Sequence, residues 1–510
     1  MSKLLILILL VFFIFGFWLR YENIKEANIV FDYDQTEDLF YTYKIAVDHK
    51  LPIIGRAIYG DPRLHHGVFF YYYNFLPFIT SGGSPFASAY WNSFFNAGVL
   101  LIIFLLSKSI FGKNLPALLS ASIVATSFEF IKFSNWLTID TVAIFLVPLF
   151  YFGLWKYYLD KKWGFVLAAI SLGLSIQTDL SFLYLIPILL IYWFIFKPKL
   201  PSFKLLLLST LAFIGTISTM ILTEIKLNFS GVKTLLNFSS TFGETNLPYT
   251  QRVALFWTDL GKNFSNNLLP QRQDLGTILI VVIVLVAILS FLKTKKKQEK
   301  SGIYFCLLYL FSPAVTLILG YHQKPWFLIG LPPAIALLSG YAISKLKYIF
   351  LILPVIALIV ISNSSLVLSR PHKSYELFDS IYDSTSDLND QLQVIKYTYE
   401  KTAGQPFAIN AVTYPLYYNG MWAYLYNWYG KGQYGYVPGW LGGDQLHPYD
   451  LLSKSPDNEK YFYLLISETS RIPEIYKTFG KIWGNNHGKL IEEKSIGGFT
   501  VLKYEKSPPI

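Results

Sequence analysis

The stretch Leu4–Leu19 (LLILILLVFFIFGFWL) contains no charged residue, and Leu275–Leu292 contains none either. Uncharged apolar stretches of roughly 17–25 residues match the thickness of the hydrocarbon core of a bilayer. Charged residues make up only 15% of the chain, whereas soluble domains carry about 25%. No small-residue cleavage pattern follows the first stretch, so we interpret it as an uncleaved anchor. The sequence therefore predicts an integral membrane protein that is embedded in the lipid bilayer.

About eleven apolar segments are predicted to span the membrane as helices. Their predicted bounds are 4–19, 86–106, 115–133, 137–156, 163–178, 180–196, 203–223, 275–292, 303–320, 326–343 and 348–366. Residues 67–79 (GVFFYYYNFLPFI) are also apolar, but they are few and Pro77 interrupts them. They fit a re-entrant or interfacial segment. The predicted fold class is a polytopic α-helical membrane protein.

The formal net charge is +11, and its distribution indicates topology. Lysines cluster in alternate short connectors: Lys108 and Lys113; Lys156, Lys161 and Lys162; Lys197, Lys199 and Lys204; Lys293 to Lys300; Lys345 and Lys347. The positive-inside rule assigns these connectors to the cytoplasm. The N-terminus is then cytoplasmic in a plasma-membrane protein, and the loops 20–85 and 224–274 face outward. Nucleic acid is not an expected partner, because the basic residues form no stripe interleaved with aromatics.

Residues after about 367 change character. Helical periodicity covers 388–399, strand-like runs cover 406–412 and 461–466, and a hairpin is expected from 490–494 and 499–504. We predict two domains: a transmembrane module over 1–367 and an extracytoplasmic α+β domain over 368–510. The single cysteine, Cys306, excludes an intramolecular disulfide and a thiolate metal site.

The stretch Tyr414–Tyr436 of this second domain is rich in Tyr and Trp. Such side chains stack on sugars or rest at a membrane surface. The alternative is that they form the core of the domain. The first interpretation would give the domain a role in binding the acceptor.

The first outer loop begins with an acidic motif, Phe31-Asp32-Tyr33-Asp34-Gln35-Thr36-Glu37-Asp38. If a helix starts near Asp34, then Asp34 and Asp38 lie one turn apart on the same face. Like charges at this spacing repel, so a cation, a bound substrate or solvation has to offset the cost. The alternative is an N-cap aspartate followed by a solvated acidic first turn, which helices favour.

Other polar residues are expected at the same level of the membrane. His65 and His66 end the polar part of the first loop, Asp140 opens the fourth span, and Gln177 and Asp179 lie in the turn after the fifth. Ionisable groups at membrane depth are costly and are usually functional or paired. Asp140 and Asp179 are also compatible with helix caps near the headgroups.

Together these features resemble the GT-C glycosyltransferases, in particular the protein mannosyltransferase and aminoarabinose transferase branch. The features are an N-terminal span, Asp34-x-x-x-Asp38 in a long outer loop, a His-Gly-aromatic segment after it, and an acid opening the fourth span. Residues 324–332 (KPWFLIGLP) look like the start of a late span in that branch. The chain departs from the pattern in three places: His-His-Gly-Val replaces Pro-Pro-Leu at 65–68, and Asn135 and Lys324 stand where Arg is usual.

The resemblance implies inverting transfer of a sugar from a polyprenyl-phosphate-linked donor to a lipid, glycan or protein acceptor on the extracytoplasmic face. It implies catalytic roles for Asp34, Asp38 and Asp140. It implies substrate contacts for a second polar set, namely His65, His66, Lys324, Arg63 and Gln177. Some relatives hold a divalent cation such as Mg²⁺ or Mn²⁺ through such acids, which makes Asp34 and Asp140 candidate ligands. The spacing leaves metal dependence open.

Two other functions compete with this interpretation. A transporter or lipid flippase would agree with the number of spans and the interrupted 67–79 segment. Against it, charges at mid-span are few and no pair of interrupted helices occurs at matching positions. A non-catalytic scaffold that displays the C-terminal domain is the other alternative. Convergence of Asp34 and Asp140 in one cleft would favour the enzyme.

Overall fold

The computed structural model describes residues 2–58, 61–236, 247–318, 325–369, 373–378, 381–455 and 459–506. The α-helices in these ranges are α1 (Lys3–Ile24), α2 (Tyr33–Ala46), α3 (Phe69–Tyr73), α4 (Phe75–Ser81), α5 (Pro85–Phe111), α6 (Asn114–Thr126), α7 (Phe128–Lys132), α8 (Ala143–Tyr158), α9 (Trp163–Thr178), α10 (Leu185–Phe196), α11 (Phe203–Lys226), α12 (Ser230–Leu236), α13 (Tyr249–Leu268), α14 (Gly276–Lys293), α15 (Lys297–Phe311), α16 (Val315–Ile318), α17 (Pro332–Ile343), α18 (Ile349–Ser369), α19 (Leu388–Glu400), α20 (Gly420–Leu425), α21 (Lys431–Tyr434) and α22 (Glu474–His487). The strands are β1 (Ala57–Ile58), β2 (Asp61–His65), β3 (Phe407–Val412), β4 (Gly439–Trp440), β5 (Tyr461–Ser467), β6 (Gly488–Ile496) and β7 (Phe499–Lys506).

Apolar helices form the first two thirds of the molecule. In the described ranges, seven helical segments are long and apolar enough to cross a membrane. They are Lys3–Ala27, Pro85–Phe111, Ile139–Tyr158, Phe203–Lys226, Gln273–Lys293, Lys297–Leu317 and Ile349–Ser369. Four shorter apolar helices accompany them: Asn114–Thr126, Trp163–Thr178, Leu180–Phe196 and Pro332–Ile343. Each predicted span overlaps one of these helices, so the polytopic helical class is confirmed. The number of complete crossings stays a prediction.

The apolar stretch 67–79 forms the two short helices α3 and α4. An α-helix rises 1.5 Å per residue, so neither helix is long enough to span a bilayer. Phe70 and Tyr71 of α3 are buried in one cluster with Ile139 of the fourth span, whereas Tyr72 is exposed. The loop between α1 and α5 is thus folded onto the helix bundle.

Arg20 lies inside α1, because this helix continues past the predicted end of the first span at Leu19. The guanidinium is fully buried. It donates to Asn96 Oδ1 of α5 (2.9 Å) and to the carbonyls of Gly16 (2.7 Å) and Ala125 (3.1 Å). A buried charge is tolerated when its donors are satisfied in this way. Arg20 therefore ties α1 to α5 and α6.

The C-terminal part is an α+β unit, as predicted. Its sheet has the strand order β4-β3-β5-β7-β6. Strand β3 runs parallel to β4 and β5, and β7 runs antiparallel to β5 and β6. The β6–β7 hairpin turns at Gly497 and Gly498, and the φ of 52° at Gly497 is the left-handed conformation that glycine adopts without strain. Helix α19 and the strands agree closely with the predicted bounds.

The aromatic stretch Tyr414–Tyr436 contributes to the core in its middle part. Trp422, Tyr424 and Tyr426 are buried, whereas Tyr417 is 82% exposed. The Tyr424 hydroxyl donates to the Gly83 carbonyl (2.5 Å) ahead of α5. This part of the stretch therefore packs within the domain and against the transmembrane module.

Candidate functional site

Helix α2 begins at Tyr33 because Asp32 caps it. Asp32 Oδ1 accepts from the Tyr33 amide (2.8 Å), and Gln35 Oε1 accepts from the Asp32 amide (2.9 Å). This is a capping box, which satisfies amides that the first turn leaves free. It puts Asp34 in the first turn and Asp38 one turn later, as the spacing predicts. The Asp34 side chain is 42% exposed and that of Asp38 only 1%.

Arg56 provides the cation that the two acids require. Its Nη1 pairs with Asp34 Oδ1, and its Nε lies 3.4 Å from Asp38 Oδ1. The guanidinium is almost buried, so its attraction to both carboxyl groups is weakly screened by water. The Arg56 guanidinium thus contacts both acids of α2 and balances the charge of Asp34.

Sequence reasoning missed Arg56 and named Arg63. The Arg63 guanidinium instead pairs with Asp61 (2.6 Å) on strand β2 and is exposed. The unbalanced acid pair on α2 was the available signal for a nearby cation. From the sequence, either Arg56 or Arg63 could have supplied this cation. Only the folded loop shows that Arg56 does so.

Burial distinguishes Asp38 from Asp34. It raises the pKa of Asp38 to about 8, against the opposing effect of Arg56 and with the help of the neighbouring acids Asp34 and Glu37. At neutral pH Asp38 is therefore largely protonated. Asp34 is the carboxyl group of this pair that solvent can reach.

Residues next to the antiparallel strands β1 and β2 hold Arg56 in place. The His66 amide donates to the Arg56 carbonyl (3.1 Å), and the Arg56 amide donates to the buried Tyr71 hydroxyl (3.1 Å). Gly55 lies so close to the His66 carbonyl that a Cβ would overlap it. His65 Nδ1 lies 2.8 Å from the Gly55 carbonyl. Both histidines thus support the backbone on either side of Arg56.

His66 is poorly suited to bind a phosphate. It is buried, and its Nδ1 lies 3.2 Å from the Thr178 carbonyl. Burial, assisted by the positive charge of Arg56, holds the pKa of His66 well below its usual range. The imidazole is therefore neutral at physiological pH, and it contributes shape and hydrogen bonding, not charge.

Gln177 connects three segments through its amide group. Its Oε1 accepts from the amides of Val68 (3.0 Å) and Phe69 (3.1 Å), and its Nε2 donates to the Thr216 carbonyl of α11. These bonds use both ends of the amide. The residue predicted to contact the substrate thus fixes the start of α3 against α9 and α11.

Asp140 joins the cluster through Thr138. Arg56 Nη2 lies 3.5 Å from Thr138 Oγ1, which is 3.4 Å from Asp140 Oδ2. The Asp140 carboxyl also interacts electrostatically with Asp179, whose Oδ1 accepts from the Ser181 amide (2.6 Å). The loop between α1 and α5, the residues just ahead of α8 and the turn after α9 therefore meet near Arg56. Asp34 and Asp140 belong to one polar cluster.

The arrangement does not fit a divalent cation between Asp34 and Asp140. The Arg56 guanidinium contacts Asp34 and extends toward Thr138, the neighbour of Asp140. A metal ion bound to the same oxygens would lie beside this fixed positive charge. Among the described residues, no group of three or more His, Cys, Asp or Glu side chains is arranged to hold a metal ion. Lys324, the remaining predicted substrate contact, lies outside the described residues.

Comparison with known proteins rests on structure, because no family model and no curated protein matches the sequence. The fold is similar to that of ArnT from Cupriavidus metallidurans bound to undecaprenyl phosphate, with a TM-score of 0.60 and 9% identity over 98% of this chain and 97% of that one. It is similar as well to the archaeal oligosaccharyltransferase AglB from Archaeoglobus fulgidus in complex with an inhibitory peptide and a dolichol-phosphate. There the TM-score is 0.50 and the identity 12%, over 99% of this chain and 74% of that one.

Both proteins are GT-C glycosyltransferases. At such low identity the likeness concerns the fold, and it extends over nearly the whole chain, including the C-terminal α+β part. The resemblance predicted from the sequence is confirmed at this level: the chain shares its fold with ArnT and with the archaeal oligosaccharyltransferase.

Proposed function

We propose that this protein transfers a sugar from a polyprenyl-phosphate-linked donor to an acceptor on the extracytoplasmic face of the membrane. Two proteins that share its fold hold undecaprenyl phosphate and dolichol-phosphate in their structures. The observation that carries the proposal is the partly exposed Asp34 carboxylate, held by Arg56 at the start of α2. The acceptor is a lipid, glycan or protein.

Asp34 is the proposed general base. An acceptor hydroxyl or amine attacks the anomeric carbon while an Asp34 oxygen takes its proton. The bond between the anomeric carbon and the phosphate oxygen breaks, and the polyprenyl phosphate leaves with the electron pair. A single displacement of this kind inverts the anomeric configuration. The phosphate is already a good leaving group, so the step needs no general acid.

Arg56 and Asp38 are proposed to prepare Asp34 for this step. Arg56 fixes one Asp34 oxygen and leaves the exposed part of the carboxylate toward solvent. Because Asp38 is largely neutral, it adds little negative charge next to the base. We assign Asp140 to the support of Arg56 through Thr138. The proposed reaction uses no metal ion.

The lysine-rich connectors support the proposed orientation. They place the N-terminus and residues 293–300 in the cytoplasm. The site lies at the opposite ends of the spans, because Asp140 lies in the turn Ile139–Val142 just ahead of α8 and Thr178 ends α9. On this basis the site and the domain over 368–510 are extracytoplasmic, in the plasma membrane.

The site geometry favours an enzyme over a transporter or flippase. The charged residues of the cluster meet where the first loop covers the ends of α8 and α9, not midway along the spans. Transport pathways instead place their ionisable residues near the bilayer midplane. The placement of the charged cluster at the helix ends therefore supports an enzyme over a transporter or flippase.

Deletion of the gene tests the proposal. Polyprenyl-phosphate sugars should accumulate, and mass spectrometry of the lipid extract would identify the donor. Expression of the wild-type protein should remove the accumulated lipid, whereas the Asp34→Asn protein at equal abundance should not. An unchanged lipid profile after deletion would contradict the proposed activity.

A further inference from the structure

A groove opens between α9 and α11, at the ends of these helices that lie away from Arg56. It encloses about 590 Å³, within the usual size range of small-molecule sites. Val166, Leu167 and Ile170 line it from α9, and Leu205 and Leu208 from α11. The walls are thus apolar, as an acyl chain requires.

The shape of the groove follows from how the two helices pack. Gly173 of α9 has no side chain at the point where the Thr216 side chain of α11 lies. The Gln177 amide also bonds to the Thr216 carbonyl there, so the helices touch near the candidate site. Toward their first turns, Leu205 packs against Phe165 and forms the floor of the open groove.

The mouth of the groove is polar and positively charged. Lys162, Lys204 and Ser202 line it beside Trp163, which is 50% exposed. Lys199 nearby pairs with Asp160 (3.1 Å). No ion pair to Lys162 or Lys204 occurs within the described part of the chain. Two ammonium groups are therefore available to an anion at this position.

We propose that this groove binds an anionic phospholipid, with the phosphate at Lys162 and Lys204 and an acyl chain along α9 and α11. Basic sites between helices at the membrane surface recognise anionic headgroups in this way. The exposed Trp163 is typical of the interface between headgroups and hydrocarbon. The groove lies at the opposite ends of the spans from Asp34, so its lipid belongs to the other leaflet from the proposed donor.

Native mass spectrometry of the full-length protein in detergent tests the proposal. The probes are dioleoyl phosphatidylglycerol and dioleoyl phosphatidylcholine, with inorganic phosphate as competitor. The anionic lipid should bind preferentially, and Lys162→Gln with Lys204→Gln should weaken its binding by roughly 30-fold. Lys162→Arg with Lys204→Arg should retain binding.

The matched control is Lys295→Gln with Lys296→Gln. It removes two exposed lysines from the connector before α15, whose Ser301 hydroxyl accepts from Tyr158 at the end of α8 on the same side. Its lipid binding should change by less than about twofold relative to the wild-type protein. Equal binding of the two lipids, equal loss in both double variants, or displacement by inorganic phosphate would overturn the proposal. Transfer activity does not enter this test.

Discussion

The Arg471 guanidinium donates to the Asp32 carboxylate at 3.0 Å, although 439 positions separate the two residues. Asp32 Oδ2 also accepts from the Ser386 hydroxyl (2.8 Å), and Asp32 caps the helix that carries Asp34. Tyr418 adds a second link by donating to Glu37 of the same helix (3.2 Å). The C-terminal domain therefore holds the start of α2, in addition to any contact with an acceptor.

We expect Arg471→Ala to loosen the start of α2. It leaves the buried Asp32 carboxylate without its cation, and a hydrogen bond to a charged group contributes about 2 kcal/mol. Hydrogen exchange of the α2 amides should accelerate roughly 30-fold, and sugar transfer should fall. Arg272→Ala, which removes an exposed ion pair with Asp274, is the control and should leave both measurements unchanged. Unchanged exchange in the Arg471 variant would show that the link does not hold α2.

Asp34→Asn should reduce transfer by about 10²- to 10⁴-fold, the usual contribution of a general base. Protein abundance should barely change, because the side chain is partly exposed. Transfer to the native acceptor by purified protein is the measurement, with Asp61→Asn in the same loop as the control. A chelator should have no effect on the wild-type rate. Near-normal transfer by a well-expressed Asp34→Asn protein would refute the site assignment.

Arg56→Lys should lose most of the activity although it keeps the charge. A lysine ammonium is a point charge, and it cannot reproduce the planar fork that contacts Asp34, Asp38 and Thr138 together. Arg56→Gln should be at least as severe, because it also removes the positive charge that pairs with the Asp34 carboxylate. Arg63→Lys is the matched control, since Arg63 forms an exposed pair in the same loop. Similar losses in the Arg56 and Arg63 variants would argue against a special role of Arg56.

The raised pKa of Asp38 makes stability depend on pH. Because its pKa is about 8 in the folded protein and 3.8 ordinarily, its contribution is fully present below about pH 4 and is lost as pH rises toward 8. Asp38→Asn resembles the protonated acid and should remove this slope. This slope is measured from the thermal unfolding midpoints at pH 5 and pH 8. Between these pH values the midpoint of the wild-type protein should fall more than that of the variant. An equal pH dependence of the midpoint in the two proteins would contradict the raised pKa of Asp38. Sugar transfer should fall less in Asp38→Asn than in Asp34→Asn.

The proposed topology predicts opposite compartments for residue 298 and the C-terminus. The connector that contains Lys293 to Lys300 should be cytoplasmic because inner connectors collect lysine. Fusions of alkaline phosphatase and green fluorescent protein at the two positions report the compartment directly. Signals from the same side at both positions would refute the topology and the extracytoplasmic assignment of the site.

The sequence by itself determined the apolar helices, the acid pair on α2 and the α+β character of the C-terminal part. Each depends on residues close together in the chain: hydrophobic length, the i and i+4 spacing of Asp34 and Asp38, and strand alternation ending at Gly497 and Gly498. These features can be predicted without knowing which residues are neighbours in the folded protein.

The tertiary structure alone decided which residues complete the site. Arg56 lies beyond the end of α2, and the contacts of Arg56 with Thr138 and of Arg471 with Asp32 cross from one folded segment to another. An ion pair of this kind needs only opposite charges a few ångströms apart, so many arginines and lysines in the sequence could form it. Which one does so depends on how the loop, the spans and the C-terminal domain pack together.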